Sequence, residues 1–530
     1  MNEAVVDTDG DRWGDIDADT NNDGEIQVSE AQAVVGLIIS NKNIASLEGL
    51  EYFVNLEVLL CRKNSIHTMD VTNLQYLTEL WCEENQLTEL DVTQNTYLQW
   101  LLCDSNQLTS IDVSENTYLE HFSIQLNQIT EIDVTQNPFL YQFTTAHNPI
   151  SSLDITQNLE LRHLFCGNND LTSLDVTQNH QLITLGFYGN QISSIDVTNC
   201  PQLRDLSFSS NVMTSIDITN NPLLDNLDSS NNPLHTLNVT QNPELRYLRC
   251  GGNQLSDLDL THNPELVNLV CYTNNLTSLN LTQNHQLEDV NASNNQLTEL
   301  DFSNNPNLYF FVASNNNISS LNITQNTILN GAIAENNNLT QIDTSNNPVL
   351  QFLYCNNNSI NQLDITQNTE LEYLRCGFNN LNSLDTSQNP LLKVIYFQDN
   401  HITSYDASQH TALIRIDGSN NALINLNIKN GFNTEISKMY AFGNPDLYCI
   451  QVDDEIYANN QICDQPNFTG WCKDETASYS EDCQLTTKDF ATTDFKLFPN
   501  PAQNVLTIQS QEQIDSVRIF TLEGRLLLQT

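Results

Sequence analysis

The segment Leu77-Thr78-Glu79-Leu80-Trp81-Cys82-Glu83-Glu84-Asn85-Gln86-Leu87-Thr88-Glu89-Leu90-Asp91-Val92-Thr93-Gln94-Asn95-Thr96-Tyr97 is one 21-residue unit of a sequence repeat. From Asn64 to Asn421 every twenty-first residue is Asn, which gives eighteen consecutive units. The residue eight places before this marker Asn is always Leu, and the residue six places after it is always Asp or Asn. Three columns held through eighteen units predict a repeat architecture for most of the 530-residue chain.

Each unit contains two short stretches in which apolar and polar residues alternate. The first is Leu77-x-x-Leu80-x-Cys82 and the second is Leu90-Asp91-Val92-Thr93. Alternation with a period of two is typical of strands, and a single unit cannot bury its Leu face without its neighbours. We therefore predict a β-rich solenoid in which one strand per unit joins a parallel sheet. Turns or short 3-10 pieces are expected on the opposite, convex side.

The spacing Leu77-x-x-Leu80-x-Cys82-x-x-Asn85-x-Leu87 is similar to the leucine-rich-repeat motif. The resemblance covers residues 37–446 and implies a curved superhelix with a parallel sheet on its concave face. Such a face usually binds other macromolecules. The stretch Leu37–Asn41 is out of register and is interpreted as part of an N-terminal cap. The marker Asn444 comes two residues late, after which the pattern dissolves.

Three repeated polar columns need an interpretation. The marker Asn column, and a second Asn column that starts at Asn95 and is broken at Cys200, are predicted to satisfy backbone groups at the turns. The Asp column that contains Asp91 is predicted to accept hydrogen bonds from Thr93, two residues on, in an Asx turn. A convex acidic stripe that collects divalent cations is the alternative for this column.

Twelve of the 13 cysteines form two groups, and Cys200 stands in the second Asn column. Eight occupy the inward position three residues before a marker Asn and are predicted to be core residues: Cys61, Cys82, Cys103, Cys166, Cys250, Cys271, Cys355 and Cys376. Four more cluster within residues 447–484: Cys449, Cys463, Cys472 and Cys483. This cluster predicts a disulfide-stapled C-terminal cap and an oxidising compartment. Of three possible pairings we favour Cys449–Cys483 enclosing Cys463–Cys472.

The acidic segment 1–36 contains a twelve-residue stretch, 19–30, that matches D-x-[DN]-x-[DN]-G-x₅-E at every specified position. It resembles the calcium loop of an EF-hand, although residues 11–17 make a poor entering helix. The preceding residues 7–11 resemble an aspartate-rich, thrombospondin-type calcium repeat. The alternative is a solvated acidic linker. The resemblance implies Ca²⁺ as cofactor, structural in role, with six ligands: Asp19, Asn21, Asp23, the carbonyl of Glu25, Gln27 through water, and Glu30.

A linker is predicted at 485–494, followed by alternating strand patterns over 495–530 that suggest the start of a small β-sandwich. The elements Phe498-Pro-Asn-Pro501 and Ile519-Phe-x-Leu-x-Gly524 resemble the C-terminal sorting domain of type IX secretion in Bacteroidetes-type bacteria. The resemblance implies contact with that secretion machinery and a location outside the cell or on the outer-membrane surface. The domain is expected to be partial, and residues are expected to be missing at both ends.

Composition excludes several classes of function. The net charge of −48 disfavours nucleic acid and anionic lipid as partners, and the sequence contains no run of 18 apolar residues that could span a membrane. No phosphate loop, metal cluster or Ser/His/Asp set stands outside the repeat, so we predict that the protein is not an enzyme.

Aromatic residues recur at strand positions two, four and six residues before the marker Asn, which alternate with the core columns and must face outward. With interspersed arginines they predict a binding surface for an extracellular protein or glycan. We expect one patch at a Trp pair and another at a Tyr/Arg cluster in later units. A calcium-rigidified structural spacer without a ligand is the alternative. The candidate residues are Trp81, Trp100, Phe165, Tyr188, Tyr247, Arg249, Tyr272, Phe310, Phe352, Tyr354, Tyr373, Arg375 and Tyr396.

Overall fold

The computed structural model describes residues 5–8, 12–464 and 469–483, and the backbone of four short strands between 495 and 529. Residues 1–4, 9–11, 465–468, 484–494, 499–506, 511–517, 521–525 and 530 lie outside the described residues, and the predicted linker 485–494 is among them.

In the described part of the chain, 33 short strands alternate with turns. The helical elements there are α1 (Val28–Ala31), α2 (Glu455–Asn459) and two 3-10 turns, Leu50–Tyr52 and Asn433–Glu435. The strands in chain order are β1 Val6–Asp7, β2 Gly36–Ile38, β3 Val58–Leu60, β4 Glu79–Trp81, β5 Trp100–Leu102, β6 His121–Ser123, β7 Gln142–Thr144, β8 His163–Phe165, β9 Thr184–Gly186, β10 Asp205–Ser207, β11 Asn226–Asp228, β12 Tyr247–Arg249, β13 Asn268–Val270, β14 Asp289–Asn291, β15 Glu299–Asp301, β16 Phe310–Val312, β17 Ser320–Asn322, β18 Gly331–Ile333, β19 Phe352–Tyr354, β20 Tyr373–Arg375, β21 Val394–Tyr396, β22 Ser404–Asp406, β23 Arg415–Asp417, β24 Asn425–Asn427, β25 Lys438–Ala441, β26 Cys449–Gln451, β27 Cys463–Asp464, β28 Thr469–Lys473, β29 Ser478–Ser480, β30 Phe495–Phe498, β31 Thr507–Ser510, β32 Arg518–Phe520 and β33 Leu526–Gln529.

The main sheet has 23 strands, most of them parallel and one per unit. Its register follows the sequence repeat, so that Leu80 of β4 pairs with Leu101 of β5. At the N-terminal edge β1 lies antiparallel on β2. At the C-terminal edge β28 pairs parallel with β25, and β27 lies antiparallel on β28. The predicted solenoid with one parallel strand per unit is confirmed.

The opposite side of the solenoid consists mainly of turns. The second extended segment of a unit joins a ladder only in places, where β15 pairs with β17 and where β22, β24, β26 and β29 form a four-stranded sheet. The two described 3-10 turns lie near the ends of the array instead of recurring along it. The C-terminal strands form two antiparallel pairs, β30 with β31 and β32 with β33.

One continuous core runs through the array. In each unit it takes the Leu eight residues before the marker, the middle residue of the strand and the residue three before the marker, as in Leu77, Leu80 and Cys82, which are all fully buried. Burying this face by stacking units is the main force that holds the solenoid together. Nine buried cysteines, the eight predicted ones and Cys200, are free thiols within this core.

The marker Asn connects each unit to the one before it. Nδ2 of Asn85 donates to the carbonyls of Cys61 and Cys82 at 3.1 and 3.0 Å, and its Oδ1 accepts the backbone N–H of Ile66 at 3.1 Å. The residue just before the marker has a positive φ even where it is bulky, 55° at Leu126. This left-handed conformation costs about 1–2 kcal/mol in a non-glycine residue, and the Asn hydrogen bonds offset that cost.

The second Asn column is also buried but only half satisfied. Nδ2 of Asn95 donates to the carbonyls of Val71 and Leu74, at 2.9 and 2.8 Å. Its Oδ1 is buried without a hydrogen-bond partner, as are the equivalent oxygens of Asn116, Asn137, Asn158, Asn179, Asn221, Asn242, Asn263, Asn284, Asn305, Asn326, Asn347 and Asn389. At these positions the column therefore fixes the turns through its donors alone.

The Asp column forms the predicted Asx turns. Oδ1 of Asp91 accepts the backbone N–H of Thr93 at 2.9 Å and its hydroxyl at 2.7 Å. Where the column holds Asn238, the same two bonds from Thr240 are 3.1 and 2.8 Å. Because a neutral amide makes the same turn, the geometry supports the structural interpretation of this column.

The C-terminal cap closes the array with two disulfides. The structure pairs Cys449 with Cys483 and Cys463 with Cys472, which is the nested arrangement favoured from the sequence. Trp471 on β28 is almost fully buried, and its ring nitrogen donates to the carbonyl of Ile436 at 2.9 Å.

Candidate ligand-binding surface

The outer face of the main sheet carries alternate residues of every strand. In β4 the middle residue Leu80 is buried while Glu79 and Trp81 are partly exposed, and in β20 Leu374 is buried between partly exposed neighbours. The positions predicted to face outward therefore do so. We call this surface the sheet face.

Near the N-terminal end of the sheet face, rings from five consecutive units form a row that we call the N-terminal cluster. The centroids of the predicted pair Trp81 and Trp100 lie 6.3 Å apart, and the ring of His121 stacks on Trp100 at 3.6 Å. Tyr141 lies between His121 and His163, with both centroid distances 5.5 Å. Burial lowers the pKa of both histidines, which favours neutral rings that pack as aromatic groups.

A second group on the sheet face, the C-terminal cluster, begins with three aromatic rings in contact. Phe310 meets Phe352 edge-on at 6.5 Å, and Phe352 stacks on Tyr373 at 4.9 Å with 9° between the ring planes. These three predicted residues come from strands β16, β19 and β20. They form an apolar wall along one side of the sheet face.

Beside this wall, aromatic rings alternate with cations. The guanidinium carbon of Arg375 lies 4.4 Å from the ring centroid of Tyr354 and 5.7 Å from that of Tyr396. Lys438 Nζ continues the series, 4.6 Å from the ring of Tyr396 and 4.4 Å from that of Tyr440. Cation–π contacts of this kind restrain the side chains that make them. These five side chains complete the C-terminal cluster, in which Lys438 and Tyr440 are buried and the other three are partly exposed.

A small polar pocket of about 100 Å³ opens next to Arg375. Three of its polar atoms are buried without hydrogen-bond partners: Asn356 Oδ1, Arg375 Nε and Gln398 Oε1. Burial raises the pKa of Glu335, which also lines the pocket. Because buried polar groups are normally paired, this pocket is equipped to accept a polar group of a ligand.

Two of the predicted tyrosines lie across glycines of the preceding unit. A Cβ added at Gly167 would come within 2.6 Å of the Tyr188 ring, and one at Gly251 within 2.7 Å of the Tyr272 ring. Only a glycine therefore allows each ring to lie flat on the sheet. A Gly followed by a Tyr at the same position of the next unit is a signal that sequence alone could have provided.

Phe165, Tyr247 and Arg249 lie between the two clusters and make local contacts. A Cβ added at Gly186 would lie 3.4 Å from the ring of Phe165. Arg246 lies over the Tyr247 ring at 5.3 Å, and Arg249 reaches Asn226 Oδ1 at 3.5 Å. The structure thus places all thirteen predicted residues on the sheet face but gathers them into two clusters and a sparser middle.

A further aromatic row, which was not predicted, lies beside the sheet face at the turn position nine residues before the marker. Its rings are about half exposed, from 51% to 57%, and Tyr118 stacks on both Tyr97 and Phe139, with centroids 6.4 and 6.3 Å apart. A groove of about 470 Å³ runs along it. The row is Tyr76, Tyr97, Tyr118 and Phe139, and the groove is also lined by Glu57, Thr78 and Gln99.

The predicted calcium loop is closed on itself by hydrogen bonds. Asp19 is 1% exposed and its Oδ2 accepts the backbone N–H of Gly24 at 2.8 Å. Glu30 Oε1 accepts the backbone N–H groups of Thr20 and Asn21 at 2.9 and 3.1 Å. These contacts join the two ends of the loop, and α1 (Val28–Ala31) begins within its last residues and carries Glu30.

The donor set of this loop is oxygen-rich, as a hard cation such as Ca²⁺ requires. Its carboxylates face backbone amides, and within the described residues no group of three or more His, Cys, Asp or Glu side chains is arranged to hold a metal ion. Hydrogen bonds lower the pKa of both Asp23 and Glu30, so these groups are ionised as cation ligands must be. Residues 12–18 contain no entering helix.

No helix among the described residues is both long and apolar enough to cross a membrane. Residues 496–530 match the family model described as a secretion system C-terminal sorting domain. The protein is therefore exported through type IX secretion to the extracellular space or the cell surface. Among curated proteins, none matches this sequence.

The fold is shared with solved leucine-rich-repeat solenoids. YopM from Yersinia enterocolitica is 25% identical, with a TM-score of 0.64 over 78% of this chain and 88% of YopM. A leucine-rich-repeat protein of Leptospira interrogans is 21% identical, with a TM-score of 0.52 over 70% of this chain and 92% of its own. The functional domain of InlJ from Listeria monocytogenes, described as including a cysteine ladder, is 28% identical over 76% of both chains, with a TM-score of 0.45.

Proposed function

We propose that this exported solenoid is a non-enzymatic binding protein that holds an extracellular protein against its sheet face. The observation that carries the proposal is the pair of clusters on that face, where partly exposed aromatic rings are held by cations of the same chain. Aromatic and arginine side chains are the residue types that contribute most to binding energy at protein interfaces. Their restraint before binding lowers the entropy cost of association.

The polar pocket beside Arg375 supports the same proposal. Its unpaired acceptors and donor lie next to the apolar wall of the C-terminal cluster. A buried apolar anchor beside a few polar groups that fix orientation is the usual anatomy of a recognition site. A glycan would use the same groups differently, stacking on rings and hydrogen-bonding in the pocket.

The test is binding of the exported protein to protein and glycan arrays. We expect protein hits that weaken at least about tenfold in Tyr354→Ala, Tyr373→Ala and Arg375→Ala, because each removes an anchor of the C-terminal cluster. Gln367→Ala and Gln388→Ala are matched controls, since both side chains are exposed in the same region but outside the sheet face. These controls should bind as the wild type does.

Three outcomes would contradict the proposal. Glycan hits alone would replace protein by glycan as the ligand. No hits at all would favour a structural spacer without a specific partner. Hits that persist unchanged in all three variants would move the binding site away from the C-terminal cluster.

We further propose that the segment 19–30 binds one Ca²⁺ with a structural role. The complete sequence match and the oxygen-rich, ring-closed loop support this. The ligands would be Asp19, Asn21, Asp23, the Glu25 carbonyl, Gln27 through water, and Glu30.

Calcium should raise the melting temperature, and chelator should reverse the rise. Glu30→Ala should abolish this response, whereas Glu48→Ala, an exposed carboxylate outside the loop, should keep it; a response unchanged in Glu30→Ala would refute the ligand set.

A further inference from the structure

A cation of the N-terminal cap already occupies the Trp pair of the N-terminal cluster. The guanidinium carbon of Arg12 lies 5.2 Å from the ring of Trp81 and 5.5 Å from that of Trp100. Its Nε and Nη2 donate to the two carboxylate oxygens of Glu79 at 3.1 and 2.9 Å. Two aromatic faces and a bidentate carboxylate make a site built for a guanidinium group.

The backbone of the N-terminal cap is strained at Arg12. Arg12 has a φ of 68°, in the left-handed region, and its backbone N–H donates to Asp7 Oδ2 at 2.9 Å. Asp7 belongs to β1, which pairs with the first strand of the array. The side chain nevertheless remains 42% exposed. Arg12 therefore occupies the site but is not enclosed by it.

The surroundings of the site also favour a cation. Glu83 stands two residues after Trp81 on the same outward side, and its Oε2 is buried without a hydrogen-bond partner. Asp104 of the next unit already accepts hydrogen bonds from Ser123 and Gln125. The net charge of −48 attracts cationic partners to the whole protein, and therefore also to this end of the sheet face.

We propose that Glu79, Trp81 and Trp100 form a subsite for an arginine side chain of a basic protein segment, and that Arg12 occupies this subsite until the partner displaces it. The inference rests on the proposed function, because it names the chemistry of a partner bound at the sheet face. Arg12 acts as a tethered competitor, so the observed affinity equals the intrinsic affinity multiplied by the fraction of molecules in which the subsite is open.

The probe is an acetylated and amidated Gly-Arg-Gly-Arg-Gly peptide, and its twin carries citrulline in place of arginine. Both are titrated into the full chain by calorimetry and by tryptophan fluorescence. We expect Arg12→Ala to bind the arginine peptide about tenfold more tightly than the wild type does, because the competing guanidinium is gone. The citrulline peptide should bind at least about tenfold more weakly, and binding should weaken as salt is added.

Two matched variants separate this effect from a general change in charge or fold. Lys63→Ala removes an exposed positive charge of the first units that is paired with Glu84 across 3.4 Å, and it should change the affinity by less than about twofold. Glu79→Gln introduced into the Arg12→Ala chain should reverse the gain, because the carboxylate is lost while the rings remain. An unchanged melting temperature in Arg12→Ala would show that the cap stays folded.

Weaker or unchanged binding in Arg12→Ala overturns the inference, and so does equal binding of the citrulline peptide. If Arg12→Ala unfolds the cap, the comparison of Glu79→Gln with wild type decides: no loss of peptide affinity overturns the inference. Array hits that depend on the C-terminal cluster while the peptide fails to bind would reject this inference alone. Failure of both would reject the proposed function as well.

Discussion

Thr344 supplies one member of the second Asn column with the hydrogen-bond donor that most other members lack. It occupies the place that Val92 has in its unit, and its hydroxyl donates to Asn368 Oδ1 at 2.7 Å. Nδ2 of Asn368 donates to the Thr344 carbonyl at 2.9 Å, and Nδ2 of Asn116 donates in the same way to the Val92 carbonyl at 3.0 Å. Valine has no hydroxyl, however, and Oδ1 of Asn116 is buried without a hydrogen-bond partner. A single hydroxyl thus satisfies an acceptor that most units leave unpaired.

We expect Thr344→Val to lower the free energy of unfolding by about 1 kcal/mol, because it leaves the Asn368 oxygen buried and unpaired. The reverse change, Val92→Thr, should supply a donor to Asn116 and cost less than Thr344→Val, or stabilise. Urea unfolding of the two variants beside wild type measures this. Equal losses in both would show that the hydroxyl is not what matters at this position.

At the scale of single residues, sequence predicts best where the repeat is strict. Lys438 and Tyr440 of the C-terminal cluster lie six and four residues before Asn444, so the same rule would have found them once the two-residue slip was allowed for. Arg12 could not be found in this way, because its contacts with Glu79 and Trp81 bring together an irregular segment and a repeat far along the chain. The pairing of buried amide oxygens depends on side-chain geometry that a pattern does not contain.

Where the second Asn column ends, a small buried network replaces it. The column position holds His410, whose Nε2 lies 2.7 Å from the hydroxyl of Thr386, and this hydroxyl also lies 2.9 Å from that of Tyr405. His410 is 1% exposed, and burial lowers its pKa to about 4. The strand β22 that carries Tyr405 belongs to the short sheet on the opposite side of the solenoid.

This element should lose stability in acid. The pKa of His410 in the folded protein lies below its ordinary value of 6.5. The contribution of the neutral ring to the free energy of unfolding is therefore complete above pH 6.5 and is lost as the pH falls towards about 4. His410→Asn restores the residue of the column and should remove this part of the pH dependence. Melting temperatures from pH 7.5 to 4.5 test it: parallel curves for wild type and variant would show that His410 does not titrate between the two states.

Across the whole molecule, each unit contacts only its neighbours, so stability is expected to vary along the array. The ends depend on their caps, and the C-terminal cap depends on its disulfides. Cys463 and Cys472 are 9 residues apart, and closing a loop of that length stabilises by roughly 2–3 kcal/mol in the chain-entropy model.

We expect the double variant Cys463→Ser, Cys472→Ser to destabilise the C-terminal end by about that amount while the N-terminal units keep their protection. Hydrogen exchange resolves this, with faster exchange expected in β25 and β28 and no change in β5. Uniformly faster exchange along the array would mean that the solenoid unfolds as one cooperative body.

The architecture of the array follows from its sequence because one short pattern, repeated in strict register, leaves a single way to bury the Leu columns. The surface is less predictable. The rule that outward positions alternate with the core located all thirteen candidate residues, yet it could not tell that Phe352 and Tyr373 stack while Tyr247 and Tyr272 remain apart. That distinction depends on which neighbours are glycines or cations, as Gly251 and Arg375 illustrate.

The nine free thiols of the core have a consequence for the lifetime of the exported protein. Cys61, Cys82 and Cys103 follow one another in consecutive units, and burial raises the pKa of thiols such as Cys166 to about 12, which keeps them unreactive. In an oxidising exterior, any opening of two adjacent units would expose two thiols that can join in a non-native disulfide and prevent reclosure. Durability outside the cell is thus governed by how often the array opens, a rate, more than by its equilibrium stability.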